Sequence, residues 1–364
     1  MNLEQQRQAS QLKFVQSGQE IKIGDESSLP LPLKQLQSTT PNSTYVVHTF
    51  ESGLTAMVYH IKVADKEWTL KCKRPKSLVK NIDGETSFLN EVQRRSQLSA
   101  LKQSKPDAFR NIVDTHYASY QGGLMLSPWI VGEPLKVLDQ HTFQQIFDVL
   151  INLELHGLFE WDLCSGNILQ TPEKQIKLFD FGYMYQFDPK TQFNSNGLDT
   201  PLFHSIERFE TRFFFDYLLK NPLGLSEDEL FELYRIEKSC ALSAYKVKLS
   251  KLKSLGADAP IIERQEMINH TWETALKNDA ALYSLLKTET FRSNVLDLLD
   301  DVHGKSCTKT TLKKADLVLE MINNSFTSLK ENQALFFGDE NLSQPELITK
   351  YHGVKSQAIK YQLN

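Results

Sequence analysis

The sequence predicts an α+β protein in which strands come first and helices follow. Two observations carry this. From Thr44 to about residue 129 the chain runs in short stretches rich in β-branched and aromatic residues, broken by turn residues. Beyond Gly132 apolar residues recur at helical spacing. With 364 residues the chain exceeds the usual size of one domain. Segregated strands and helices then read as a small β-rich N-lobe over 45–129 and a larger helical C-lobe over 130–364, preceded by an arm over 1–44.

The elements follow in order. Residues 1–44 are rich in Gln, Ser and Pro, with the breaker Leu29-Pro30-Leu31-Pro32 in the middle, and read as an extended or partly ordered arm with room for a strand or helix. Residues 45–50, 56–61 and 68–72 read as three antiparallel strands, broken at Gly53 and Asp65-Lys66. Phe88, Leu89, Val92, Leu98 and Leu101 set an amphipathic helix over about 84–102. Further β structure is expected over 112–120 and 123–129, and then an apolar stripe of Phe143, Ile146, Phe147, Leu150 and Ile151 leads into His156. Ser226 to Glu229 has the spacing of a capping box, and helical patterns continue around 260–300 and 311–329. The aromatic run Phe209, Phe213, Phe214, Phe215 and Tyr217 reads as core.

Composition narrows the function. A net charge of -4 supplies no global electrostatic reason to bind nucleic acid or an anionic membrane. The opening MNLEQQRQASQLKF is polar where a signal peptide needs a basic end and an apolar core. No run reaches the roughly 18 apolar residues of a spanning helix, so a cytoplasmic protein without a membrane span is expected. Cys72, Cys164, Cys240 and Cys307 stand far apart, without zinc-site or disulfide spacing. No G-x-x-x-x-G-K-[ST] occurs, which removes the P-loop route to nucleotide binding.

Chemistry concentrates between His156 and Gly182. Asp162 and Asn167 stand five positions apart, after an apolar helix and before an apolar strand, and Asp180 opens Asp180-Phe181-Gly182 thirteen residues past the Asn. Phosphoryl transfer needs such parts: metal ligands, a cation on the phosphates and a carboxylate beside the attacking hydroxyl. In letters and spacing the segment resembles the protein-kinase-like superfamily, whose catalytic loop reads D-x-x-x-x-N and whose metal-binding element reads D-F-G.

The resemblance, which covers about residues 45–185, implies a bilobal fold and an ATP-dependent phosphotransferase. Asp162 would accept or orient the proton of the attacking hydroxyl, and Asn167 and Asp180 would hold Mg²⁺ against the phosphates of ATP. It further implies a phosphate-contacting lysine on the third strand, which Lys71 supplies. Lys73 shares its face by strand alternation. An ion-pair partner belongs on the next helix, where Glu91 sits in an apolar frame and Glu85 is the alternative. The hinge for adenine would be Met125 to Gly132. The phosphate-covering loop would be 51–56, around its single Gly53, for which a plain hairpin turn is an equal reading.

The chain also departs from the family. Glu160 and Trp161 stand where His and Arg are usual, which argues against switching by loop phosphorylation. Cys164 occupies a place where many Ser/Thr kinases carry Lys, and no A-P-E follows Gly182. The D-L-x-x-G-N-I-L pattern looks closer to aminoglycoside-phosphotransferase-like enzymes and atypical protein kinases. The expected acceptor is therefore a protein Ser/Thr hydroxyl or, alternatively, a small-molecule hydroxyl. The rival from another class is a nucleotide-binding pseudokinase acting through protein interaction.

Overall fold

The structure, a computed structural model, describes residues 1–51 and 53–363. It comprises two compact units: Met1–Leu135 with Asp148–Leu202, and Lys136–Phe147 with the chain from Phe203 onward. The protein is α+β, with a six-stranded antiparallel sheet and a larger helical part. Among the described residues no helix is long and apolar enough to cross a membrane.

The first unit begins with α1 (Leu3–Ser17), β1 (Lys22–Ile23) and α2 (Leu33–Gln37). The sheet continues through β2 (Val46–Phe50), β3 (Ala56–Val63) and β4 (Lys66–Lys73), then α3 (Ile82–Ser104), β5 (Tyr117–Ser119) and β6 (Leu124–Pro128). Spatially the strands run β1-β5-β6-β4-β3-β2. Strand alternation divides the side chains between two cores. Tyr59, Ile61, Trp68, Leu70, Leu124 and Leu126 pack on one face with Leu36 of α2. Ala56, Ala118 and Met125 face the other way, against Phe88, Leu89 and Val92 of α3.

Two expectations need correction here. The arm is folded throughout: β1 pairs with β5, and Phe14 packs edge-on to Tyr120 at 5.8 Å. The helix for which the sequence left room shows no apolar stripe, because the one buried residue of α1 is polar, Gln11, which accepts from Thr86 and donates to Asn90. The strand expected over 112–120 is confined to β5, and Ile112 makes only an isolated parallel bridge to Leu178. α3 itself starts where Asn81 accepts from the Gly84 N–H at 2.7 Å. Any Cβ at Gly84 would meet the Val79 carbonyl oxygen at 2.6 Å, so the helix entry demands glycine.

After β7 (Glu133–Pro134) comes α4 (Gln140–Leu155), within which the chain crosses between the units. The first unit then adds β8 (Leu158–Glu160), β9 (Ile168–Gln170), β10 (Ile176–Leu178) and β11 (Met184–Gln186). β9 pairs with β7 and β10, and β8 with β11, all antiparallel.

The second unit holds α5 (Ser205–Phe209), a π-helical turn at Glu210–Phe214 and α6 (Phe215–Lys220). Then follow α7 (Glu227–Ser254), α8 (Ala259–Ala275), α9 (Asp279–Gly304), α10 (Lys309–Glu331) and α11 (Gln344–Lys360). The expected capping box at Ser226 and Glu229 opens α7. The aromatic run from Phe209 to Tyr217 is buried, with Phe143 and Phe147 packed edge-on to Phe209. α9, α10 and α11 share a core that includes Phe291, Val318, Ile322, Leu347 and Tyr351.

Candidate functional site

All six residues singled out from the sequence lie in the first unit. Lys71 points to the α3 face of the sheet and is 7% exposed. Its Nζ donates to Glu91 Oε2 at 2.8 Å and lies 3.0 Å from Asp180 Oδ2. The two open choices thereby close in geometry. Lys73, at the end of β4, is exposed and sits 4.7 Å from the Tyr120 ring, and Glu85 is exposed in the first turn of α3.

Glu91 is 3% exposed and is held from two sides. Arg95, one turn further along α3, donates to Glu91 Oε1 through Nε at 3.0 Å and Nη2 at 2.8 Å. The remaining Arg95 nitrogen donates to Ser127 Oγ at 3.1 Å, tying α3 to β6. Burial raises the pKa of Glu91, but Lys71 and Arg95 outweigh it and hold the carboxyl below its ordinary value. Burial likewise works against the Lys71 ammonium, and Asp180 with Glu91 overcomes it, so Lys71 stays charged.

The loop after β8 is built around Asp162. Its N–H donates to Glu160 Oε1 at 2.8 Å, and its carbonyl accepts from Asn167 Nδ2 at 2.8 Å. With that amide nitrogen engaged, the free ligating atom of Asn167 is its oxygen. The Asn167 carbonyl accepts from the Phe179 N–H at 3.1 Å, which joins this loop to the residue before Asp180. Asp180 adopts a left-handed backbone, φ 67°, which aspartate tolerates better than most residues. Burial, together with Glu91 and Asp162, pushes its carboxyl up, against the pull of Lys71.

Gly53 lies in the turn between β2 and β3, where its carbonyl accepts from Arg74 Nε at 2.8 Å. An added Cβ would meet the Ala56 carbonyl oxygen at 2.3 Å. The neighbouring Ser52 of the expected loop lies outside the described residues. In the expected hinge, Trp129 stacks on His60 with ring centroids 3.7 Å apart, and its N–H donates to the Glu67 carbonyl.

Three residues of the site escaped the sequence reading. Arg95 had a signal, the i,i+4 spacing from Glu91. Asn90 had none: its Nδ2 donates to the carbonyls of Gly182 at 3.0 Å and Met184 at 2.7 Å, fastening α3 to the segment after Asp180. Glu160 was noticed only as a departure. It is 3% exposed on β8, opposite Met184, and its Oε2 is buried without a hydrogen bond. Burial, with the Asp162, Asp180 and Glu91 charges, pushes its pKa well above the ordinary value, against the hydrogen bond from the Asp162 N–H.

No protein-family model matches this chain, and no curated protein matches it.

Proposed function

We propose that the protein is an ATP-dependent phosphotransferase that moves the γ-phosphoryl of Mg-ATP to a hydroxyl, with a protein Ser/Thr side chain as the favoured acceptor. One observation carries the reading: a buried lysine clamped between Glu91 and Asp180, whose segment is joined by hydrogen bonds to the Asp162–Asn167 loop. The resemblance of Asp162, Asn167 and Asp180-Phe181-Gly182 to the protein-kinase-like superfamily supplies the assignment of parts.

The donor set suits magnesium, which takes one or two protein oxygens and completes its shell with water and phosphate. Asp180 offers a carboxylate and Asn167 an amide oxygen, and among the described residues no cluster of three or more His, Cys, Asp and Glu offers a harder cage. Bound there, magnesium supplies charge neutralisation on the phosphate oxygens. Lys71 adds a fixed cation for the same oxygens, and Glu91 and Arg95 keep its side chain extended. Asp162 takes the hydroxyl proton, its carboxylate oriented by backbone bonds to Glu160 and Asn167 on either side. ATP as substrate agrees with a cytoplasmic location.

Asp162→Asn tests this. The near-isosteric change is expected to leave nucleotide binding, read as a rise in Tm with Mg-ATP, intact. Transfer of labelled phosphate to lysate proteins or small hydroxyl compounds is expected to fall by about a hundredfold or more. Wild-type protein that binds ATP yet transfers no more phosphate than Asp162→Asn would replace the enzyme reading with the pseudokinase one.

A further inference from the structure

Beside the phosphotransfer residues, α1 and α3 border an open cavity of about 960 Å³ whose wall also includes Tyr185 and Gln186 of β11. Its charged lining residues are Arg7, Lys13 and Arg94, and no aspartate or glutamate lines it. The rest is dominated by hydrogen-bonding groups, with six glutamines, four serines and Asn90 among the lining residues. A cavity so rich in donors and single-signed in charge is unlike the apolar gaps left between helices.

Arg94 is the unusual member. It is only 7% exposed, yet it makes no ion pair or hydrogen bond among the described residues, and its Nε is buried without a partner. Its helix neighbour Arg95 shows the ordinary solution, two bonds to Glu91. Arg7 is partly answered, because Asp83 accepts from it at 2.8 Å, but its Nε is also buried and unpartnered. Gln97 Oε1, an acceptor on the same wall, is buried and unmet too.

Buried polar atoms are nearly always satisfied, and a buried charge without a counter-ion is costly. The acidic group nearest in effect to Arg94 is the Tyr185 phenol. Burial, followed by the Asp83 charge, holds that phenol well above its ordinary pKa, so it stays neutral and cannot serve as the counter-ion. Burial pushes the Arg94 guanidinium down only to about 10, so it remains a cation at neutral pH. The cation is therefore unmatched by any acidic side chain among the described residues.

We propose that this cavity binds a phosphate monoester of a small polyhydroxylated molecule, with Arg94 as the principal anion ligand. A guanidinium presents a planar fork of donors to phosphate oxygens. The phosphate group meets Arg94, with Lys13 contributing charge from α1. Gln97 Oε1 accepts from a hydroxyl of the polyhydroxylated part. The volume exceeds what inorganic phosphate needs and lies within the range of small-molecule sites. The site shares with the phosphotransfer reading only Asn90, which lines the cavity and holds the segment after Asp180, and it is tested apart from that reading.

The test uses the full chain with glucose 6-phosphate, glucose and inorganic phosphate, read by calorimetry and thermal shift. Glucose 6-phosphate is expected to bind saturably, at least about tenfold tighter than glucose, because a charge-assisted bond is at stake. Arg94→Gln is expected to lose that difference, whereas Asp180→Ala, which disables the proposed nucleotide site, is expected to keep it. Arg94→Met without ligand is expected to raise Tm by about 2 °C or more, since it removes an unmatched buried charge. The proposal is overturned by failure of glucose 6-phosphate to bind, by equal binding to Arg94→Gln, or by loss in Asp180→Ala alone. A lower Tm for Arg94→Met overturns its premise.

Discussion

The raised pKa of the buried Glu160 carboxyl makes the sharpest statement about a single residue. Its folded pKa lies well above the unfolded value, so folding is favoured while Glu160 is protonated in both states and loses stability as pH rises through the folded pKa. Glu160→Gln keeps an acceptor for the Asp162 N–H and removes the titration. The variant is expected to match wild type below about pH 4, near the ordinary glutamate value, and to gain stability over it increasingly above that value. Urea midpoints measured across pH check this, and a constant difference at all pH values would contradict the raised pKa. The lysine pair yields a second test. Lys71→Ala is expected to abolish nucleotide-dependent phosphate transfer in a radiolabel assay, while Lys73→Ala, altering an exposed side chain, leaves most of it.

At the scale of elements, α3 is the organiser. Consecutive residues on it do different work: Asn90 holds the chain after Asp180, and Glu91 holds Lys71 on β4. The helix therefore sets the separation between the sheet and the Asp180 segment. Asn90→Leu removes the donor to the Gly182 and Met184 carbonyls at similar volume, leaving buried acceptors unmet. A loss of about 2 kcal/mol or more in chemical denaturation is expected. In legibility the two residues differ. Glu91 stood out as a carboxylate in an apolar frame on the helix after the lysine strand, whereas a buried asparagine bonding backbone carbonyls leaves no periodic or motif trace.

For the whole molecule, the second unit buries more charge than its helical pattern suggested. Lys238 of α7 is fully buried, pairs with Glu210 of the π-helical turn and lies 2.7 Å from Glu289 of α9. Lys238→Met leaves those carboxyls without their cation and is expected to cost about 3–5 kcal/mol at neutral pH. Burial, followed by the Glu289 charge, already holds Glu210 well above the ordinary value. Its protonation is easier still without the lysine, so the loss is expected to shrink on acidification, as denaturation at neutral and mildly acid pH will record. Since the two compact units need not melt together, the measurement calls for probes in each, such as Trp272 for the second.

Local chemistry by itself determined β2, β3, β4 and β6 from β-branched and aromatic composition between turn residues, α3 and α7 from periodicity and capping, and the pattern of Asp162, Asn167 and Asp180. The elements depend on residues within a turn or two of one another, where steric and hydrogen-bonding preferences act directly, and the motif is legible from its letters and spacing. Alternation could not separate Lys71 from Lys73, because both point to one face; the packing of α3 over β4 did. The same long-range packing buried Glu91 rather than Glu85 and docked the arm through polar Gln11. It also raised the Glu160 pKa and left Arg94 without a counter-ion among the described residues. Desolvation and pairing depend on which distant segments arrive at a side chain, and only the tertiary structure decides that.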